Sequence, residues 1–360
     1  MTSLRLLADD LTGALDSAAE FVALTGPVRT FWHGAIPAEL PDNAALDSGT
    51  RELDARSAAG IVHRMAPHIA SGGIAFKKID SLLRGHAVVE LAACMRGEGW
   101  RYCVLAPAFP YQGRITKGGR QHARDAGGAW RPVGDDLVAA LREAGVRAQP
   151  GALGIDLQPG ITVFDAETDD DLAQVVAAVR RHAHRVLWSG TGGLAQALAA
   201  GASAPFLPPL PGPILGLFGS DQPVMAAQLA ACAPHWIDTT DTAAIRRRLD
   251  TAGLALASFP VPAGTSRDAA ARHIAEHCDG LARALPRPGT LIAAGGETLR
   301  TVCKALGATS LEVHGRIVPG VPRSIMCGGR WDGVTVISKS GAFGHTNLLR
   351  ELLALERSAS

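Results

Sequence analysis

A short apolar run from Leu4 to Ala8 has the pattern of a buried strand, and it stops abruptly in two adjacent carboxylates, Asp9 and Asp10. Leu11-Thr12-Gly13-Ala14-Leu15-Asp16 follows, and a helical pattern continues through Leu24. A strand that turns so quickly into a helix points to an α/β architecture, in which helices flank a largely parallel sheet. In open sheets of this kind, ligands bind beyond the carboxyl ends of the strands. Asp9 and Asp10 are therefore placed to accept hydrogen bonds from substrate hydroxyls, to hold a metal or to take a proton. The plainer reading is a helix cap supplied by one aspartate or by Thr12. With a second carboxylate at the turn and a third at Asp16, both readings stand.

Length and composition narrow the choice. A chain of 360 residues exceeds one ordinary core, so two domains are expected. Hydrophobic residues make up 47% and charged residues 19%, the balance of a globular protein. The formal charge is only +1, with no long basic run, which argues against nucleic acid as a partner. No apolar run reaches the roughly 18 residues of a membrane span, and no secretory leader pattern opens the chain. A cytoplasmic protein without a membrane partner is expected. The six cysteines (Cys94, Cys103, Cys232, Cys278, Cys303 and Cys327) lack any CxxC pairing and suggest free buried thiols. His182 and His184 belong to no HExxH-like ligand spacing.

Strand and helix patterns then alternate. Val28 to Trp32 is a candidate strand. Ala44 to Arg51 is a possible strand end bearing Asp47, Ser48 and Arg51, and a helical segment runs from Leu53 to about Ile69. The next strand carries a second chemical cluster: Lys77-Lys78-Ile79-Asp80-Ser81-Leu82-Leu83-Arg84-Gly85-His86. Strand alternation sends Lys77 and Lys78 to opposite faces, one towards a site, the other solvated or paired with Asp80. Arg84 offers a planar fork for a carboxylate or phosphate, and a helix starting near Gly85 would aim its amides at the same anion. Val104 to Pro110 reads as a strand with a Pro-braced turn. The Gly-rich, basic stretch Tyr111 to Gly119, including Arg114, reads as an exposed loop within reach of an anionic substrate. Asp169-Asp170-Asp171 opens a helix and decorates its positive end. Gly190-Thr191-Gly192-Gly193-Leu194-Ala195 fits a weak dinucleotide fingerprint. The context fails that reading, since the chain runs on into the proline-rich stretch Ala204 to Pro213. A substrate-binding turn or close helix–strand packing fits better.

That proline-rich stretch marks a domain boundary, because it can continue neither helix nor central strand. Beyond it an α/β pattern restarts. Three strands run into glycine turns, at Gly219-Ser220, at Gly295-Gly296-Glu297-Thr298 and at Lys339-Ser340-Gly341-Ala342-Phe343-Gly344. Paired glycines between a strand and a helix let backbone amides cradle phosphates, so a nucleotide crevice is expected. No GxxxxGK[ST] sequence is present, which excludes a P-loop NTPase, and the protein-kinase motifs are missing.

Together these ordered motifs resemble the four-carbon acid sugar kinases over nearly the whole chain. Ala8 to Ala14 with Asp16, Lys77 to Ser81 with Leu83-Arg84-Gly85, and Pro107 to Pro110 with Gly113-Arg114 are similar to the family's sugar-binding motifs. Gly219-Ser220 with Pro223 and Gln228, and the two later glycine turns, are similar to its nucleotide-binding motifs. Departures are Leu82 for a usual Thr, His86 for Asn, Gln222 for a second Ser, and His345-Thr346-Asn347 for a more acidic stretch.

The resemblance implies two α/β domains, each a largely parallel sheet flanked by helices, with the active site in the cleft between them. Residues 1–203 would bind a sugar acid, 204–213 would link, and 214–360 would bind nucleotide. It implies ATP-dependent phosphorylation of a four-carbon sugar acid with Mg²⁺, and Asp10, Asp9 or Asp80 acting on the attacking hydroxyl. Thr12, Asp16, Arg51, Lys78, Ser81, Arg84, Gly85 and Arg114 would complete the acid site. Gly219, Ser220, Gly295, Gly296, Glu297, Thr298, Ser340 and Gly341 would hold the nucleotide. Metal ligands and oligomeric state stay open, a homodimer among the options. The rivals are a dehydrogenase using the Gly190–Ala195 turn and a non-catalytic sugar-acid sensor.

Overall fold

The computed structural model describes residues 2–97, 99–125, 127–181, 185–203, 205–219, 222–239, 241–259, 265 and 267–357. The chain divides into two compact units, Met1–Ala204 and Pro205–Ser360.

The first unit begins with β1 (Leu4–Ala8), α1 (Leu11–Thr25), β2 (Val28–Trp32), β3 (Ala44–Asp47) and α2 (Ala55–Ile69). It continues with β4 (Ile74–Lys78), α3 (Ala87–Arg96) and β5 (Tyr102–Ala106), then the insertion β6 (Arg114–Lys117), β7 (Arg120–Arg124) and β8 (Trp130–Val133). It closes with α4 (Leu137–Glu143), β9 (Ala148–Pro150), β10 (Gly160–Val163), α5 (Asp169–Arg180), β11 (Val186–Gly190) and α6 (Gly192–Leu198). The main strands lie in the order β2-β3-β1-β4-β11-β5-β10-β9. All their pairings are parallel. From β1 the chain first lays down β2, then inserts β3 between β2 and β1, and then adds β4 on the other side of β1. The strand order therefore reverses at β1, and the crevice at such a reversal is the expected ligand position.

Alternation along β4 divides its side chains between two helical layers. Phe76 faces α1, where its ring meets Phe21 edge-on with centroids 5.5 Å apart. Ala75 joins the opposite core with Leu7, Val62, Met65 and Leu91. Each of these carries its neighbour two positions on to the same side, which decides where the two lysines go.

Tyr111 to Gly119 is more ordered than an exposed loop. After a 3₁₀ turn at Pro110–Gln112, β6, β7 and β8 form a small antiparallel sheet. Its strands are mostly polar because little of them is buried, so no apolar alternation announces them.

The second unit contains β12 (Ile214–Phe218), α7 (Pro223–Ala230), β13 (Trp236–Asp238), α8 (Thr242–Ala252), β14 (Leu254–Ser258) and α9 (Arg267–Ala284). β15 (Thr290–Ala294), α10 (Gly296–Ala305), β16 (Ser310–Val318), β17 (Val321–Cys327), β18 (Thr335–Lys339) and α11 (Leu348–Arg357) complete it. Its strands run β13-β14-β12-β15-β18-β17-β16, parallel as far as β18 and antiparallel beyond it. Here the reversal falls at β12, between β14 and β15. The proline stretch is anchored within this unit. Leu210 is part of its core, Arg323 donates to the carbonyl of Pro208, and Thr290 Oγ1 donates to that of Pro211 at 2.7 Å.

Cys94, Cys103 and Cys232 are free and buried, Cys327 is free and half-buried, and Cys303 is buried; the side chain of Cys278, with His182 and His184, lies outside the described residues. Among the described residues no helix is long and apolar enough to cross a membrane.

Candidate active site

At the reversal point of the first unit the loops after β1, β3 and β4 meet around one guanidinium. Arg51 grips Asp9 with two hydrogen bonds, Nε to Oδ2 at 2.9 Å and Nη2 to Oδ1 at 2.8 Å. Its Nη1 lies 2.8 Å from Asp10 Oδ2, and Nη2 lies 3.6 Å from Asp80 Oδ2. Backbone geometry fixes this approach, since the amides of Thr50 and Arg51 both donate to the Asp9 carbonyl. Arg84 adds a second fork on Asp80, with Nε 3.0 Å from Oδ1 and Nη2 2.6 Å from Oδ2. Three carboxylates thus share two arginines.

Burial alone would push the Asp9 carboxyl up, but Arg51, with Lys77 and Lys78 behind it, holds it below the ordinary carboxylate value. For Asp80 burial acts the same way, and hydrogen bonding from Arg84 with the charge of Arg51 overrides it. Burial lowers Arg51, yet Asp10 and Asp9 raise it further, so its charge is permanent. Asp10 is the most open of the three acids, its side chain 18% exposed against 5% for Asp9 and 7% for Asp80. Asp10 is also the N-cap of α1: Oδ1 accepts the Gly13 amide at 2.9 Å, and Thr12 Oγ1 donates to Oδ2 at 2.5 Å. The helix cap is therefore realised, and on the same carboxylate that faces Arg51.

The two lysines part as strand alternation requires. Lys78 shares the Phe76 side and reaches the first turn of α1, where a Cβ on Gly13 would sit 3.3 Å from its Nζ. It makes no ion pair among the described residues. Lys77 goes to the other face and is neither solvated nor paired with Asp80. It is fully buried, and its ammonium lies 2.7 Å from Glu90 of α3. Glu90 in turn accepts from Thr50 Oγ1 at 2.5 Å, Thr50 lies 2.8 Å from Ser48 Oγ, and Ser48 donates to the Ala8 carbonyl at 2.9 Å. Lys77 also donates to the carbonyl of Lys78 at 3.0 Å. One buried ion pair thus ties together the ends of β1, β3 and β4 beneath the Arg51 cluster. No local pattern marks Glu90, because its partner depends on how α3 packs.

Gly85 has φ +78°, and a Cβ there would lie 3.1 Å from Asp9 Oδ2 and 3.4 Å from the Arg51 Cα, so the loop closes on the ion pair only with glycine. Arg114, on β6, is half-buried, feels the charges of Asp80 and Arg84, and donates to the carbonyls of Gln112 and Gly113. The Ser81 carbonyl accepts from Gln121 at 3.1 Å, which ties the β4 loop to the small sheet. Asp16 Oδ2 lies 3.5 Å from where a Gly192 Cβ would be, beyond the end of β11. The helix beyond Gly85 starts only at Ala87, and its first-turn acid is the buried Glu90.

The Gly190–Ala195 turn is packed shut. A Cβ on Gly190 would meet the Ala106 carbonyl at 2.6 Å, on Gly192 the Phe109 ring at 2.9 Å, and on Gly193 the Ala108 carbonyl at 2.6 Å. These glycines serve close helix–strand packing, which leaves no room for a dinucleotide.

In the second unit three glycine turns follow the neighbouring parallel strands β12, β15 and β18. A Cβ on Gly219 would lie 2.7 Å from Thr298 Oγ1, so the first two turns touch. Gly295 has φ +94° and its amide donates to the Lys339 carbonyl at 2.9 Å, which joins the second to the third. Thr298 is buried in the first turn of α10, while Glu297 is exposed and ion-paired with Arg300. Ser220 lies outside the described residues. Among the described residues no group of three His, Cys, Asp or Glu is disposed to hold a metal ion.

Comparison with known proteins gives these two clusters a common context. A sugar-binding N-terminal domain model matches residues 4–149 and 138–198, and a nucleotide-binding C-terminal domain model matches 220–349. The chain belongs to the four-carbon acid sugar kinase family. Within this family it is 32% identical to a D-threonate kinase of Cupriavidus necator over 402 residues, covering 94% of each chain. A D-threonate kinase of Bordetella bronchiseptica is 28% identical over 393 residues, covering 96% of this chain and 95% of that one. A crystal structure from Salmonella typhimurium LT2 shares the fold with a TM-score of 0.77 at 22% identity, covering 99% of this chain and 100% of that one.

Proposed function

We propose that this protein is an ATP-dependent kinase that phosphorylates a hydroxyl of a four-carbon sugar acid of the threonate, erythronate or oxo-tetronate type. One observation carries the reading. Each unit gathers its distinctive residues where its parallel strand order reverses, charged groups in the unit matched as sugar-binding and glycine turns in the unit matched as nucleotide-binding.

Phosphoryl transfer asks for positioning and charge neutralisation more than for covalent chemistry. Arg51 and Arg84 are already engaged with carboxylates, so Lys78 takes the acid's carboxylate, aided by the exposed edge of Arg84. Asp9, Asp10 and Asp80, kept in register by Arg51, accept hydrogen bonds from the substrate hydroxyls. Asp10, the most accessible, orients the attacking hydroxyl and takes its proton as the new bond forms. Thr12 and Gly13 fix Asp10, while Ser81 and Gly85 shape the rim. Backbone amides of Gly219, Gly296 and Gly341, with Thr298, Ser340 and, by sequence, Ser220, hold the nucleotide, while Gly295, whose amide is taken by the Lys339 carbonyl, shapes the turn. Glu297, exposed in the first turn of α10 and paired with Arg300, is the carboxylate in these turns that would help to hold Mg²⁺. The metal would supply charge neutralisation at the phosphates.

A coupled ADP-release assay with Mg-ATP tests this across D- and L-threonate, D-erythronate and their oxo forms. Acid-dependent ADP release is expected, with D-threonate the first acid to try because both relatives carry that name. Nucleotide binding without turnover on any acid would favour the sensor, and absence of ATP binding would refute the reading of the second unit.

A further inference from the structure

The second unit holds a buried charge that no described residue of the unit pairs. Lys339 ends β18 and shares the side of Ile337, which packs with Met225 and Leu229 of α7 and with Leu348 and Leu349 of α11. Only 2% of Lys339 is exposed. Its ammonium donates to the carbonyls of Ser340 at 3.0 Å and Phe343 at 3.1 Å, and it forms no ion pair among the described residues. Burial pulls its pKa down to about 8, with no carboxylate acting against it. Arg323 on β17 is also buried, faces Ile337 across the ladder and likewise bonds to backbone carbonyls, those of Pro208 and Pro209. Among the described residues this interior face therefore carries positive charge without a paired acid. Buried charges are ordinarily paired, and an unpaired one is a standing cost to the fold.

The loop over Lys339 is built to match. Gln228 of α7 is buried and donates to the Phe343 carbonyl at 3.1 Å and to the His345 carbonyl at 3.0 Å. Two side chains thus draw the carbonyls of Ser340, Phe343 and His345 towards the interior. Gly344, at φ +94°, lets the chain turn there, since a Cβ would run into Leu348 Cδ2 and lie 3.1 Å from Gln228 Nε2. The Lys339 carbonyl meanwhile accepts the Gly295 amide, so the lysine backbone braces the second turn and its side chain braces the third.

We propose that Lys339 is a positioning residue for the nucleotide, fixing the 340–345 loop from beneath and holding there a positive charge whose counter-ion is the bound polyphosphate. The inference rests on the nucleotide reading of the second unit and adds a residue that touches the loop from its interior side. It also accounts for a buried cation retained where methionine would fill the same space. Binding of phosphate groups across the loop offsets the electrostatic penalty of the apo fold, so affinity for phosphate and the presence of the lysine are linked.

The test is isothermal titration of the full-length protein, K339M and K339R with ADP and with AMP, each variant first checked for folding by circular dichroism. K339M is expected to weaken ADP at least tenfold and AMP by a clearly smaller factor, because the lost charge matters more for two phosphates than for one. K339R, which keeps the charge, is expected to hold ADP within about threefold of wild type. Equal ADP affinity in wild type and K339M would overturn the inference alone. Equal losses for ADP and AMP would also overturn it, leaving only a role in loop shape. If K339M does not fold, a folded K339R that loses ADP tenfold would do the same. Wild-type protein that bound neither nucleotide would refute the nucleotide reading, and this inference with it.

Discussion

At the residue scale the candidate site turns on Arg51, which touches Asp9 and Asp10 and approaches Asp80. Replacing it with methionine leaves three carboxylates facing one another with only Arg84 and Lys78 to compensate. Breaking a buried ion pair from one side typically costs about 3–5 kcal/mol. R51M should therefore unfold in urea with a loss of about that size and lose at least a hundredfold in kcat/KM. A variant with unchanged urea midpoint and turnover would show that the arginine is dispensable. Asp80 offers a pH test with a definite sign. Burial pushes its carboxyl up, but Arg84 and Arg51 hold its folded value below the unfolded one near 4. The group therefore stabilises the fold fully above about pH 4, and this contribution disappears as pH falls through the folded value. The stability gap between wild type and D80N should be constant from about pH 5 to 8 and narrow steadily below about pH 4. A gap that persisted undiminished to about pH 2 would contradict the ion-pair account.

At the scale of elements, the site depends on strand ends held at fixed separations, and the Lys77–Glu90 pair does this from within. E90Q keeps the shape of the side chain but removes the charge opposite Lys77, leaving a buried ammonium unpaired. It should lower the melting temperature by several degrees and reduce kcat while the KM for ATP stays within about twofold. A loss confined to the KM for ATP would place the effect elsewhere. This pair also marks the limit of what the sequence discloses. Leu4–Ala8 and Ile74–Lys78 are legible as strands because both faces are buried, and the split of Lys77 from Lys78 follows from alternation alone. The partner of Lys77 does not, since Glu90 is one acid on a helix whose burial is set by packing against α2. Arg51 was visible only as a basic residue after a possible strand, whereas its three contacts come from loops far apart in sequence. Elements with little buried surface carry a weak signal. Helix α8 is largely polar, with Ile245 and Leu249 its buried residues, and the β6–β8 sheet is charged and partly exposed. The glycine turns were legible as turns, but not which of them close on protein atoms. Gly190, Gly192 and Gly193 do so, and only the spatial neighbours Ala106, Ala108 and Phe109 reveal it.

At the scale of the molecule, each unit has its own core and its own strand reversal, so damage in one should be read by one ligand. This makes the assignment of the two ligands separable by kinetics. Arg84 lies on the rim of the first unit's cluster with its side chain 52% exposed, so R84M removes a ligand-facing group and one of the two arginines on Asp80, leaving Arg51 to hold that carboxylate. It should raise the KM for the sugar acid by tenfold or more, about 1.4 kcal/mol, with the KM for ATP within about twofold. Gly219 is the converse probe. An added methyl would press on Thr298 Oγ1 and Ile274 Cδ1, each 2.7 Å away, and spread the first two glycine turns of the second unit. G219A should raise the KM for ATP by a comparable factor and leave that for the acid nearly unchanged. The comparison discriminates because a merely destabilised protein loses active fraction, which lowers the apparent kcat and leaves both KM values where they were. Reversed assignments, with R84M acting on ATP and G219A on the acid, would exchange the roles of the two units.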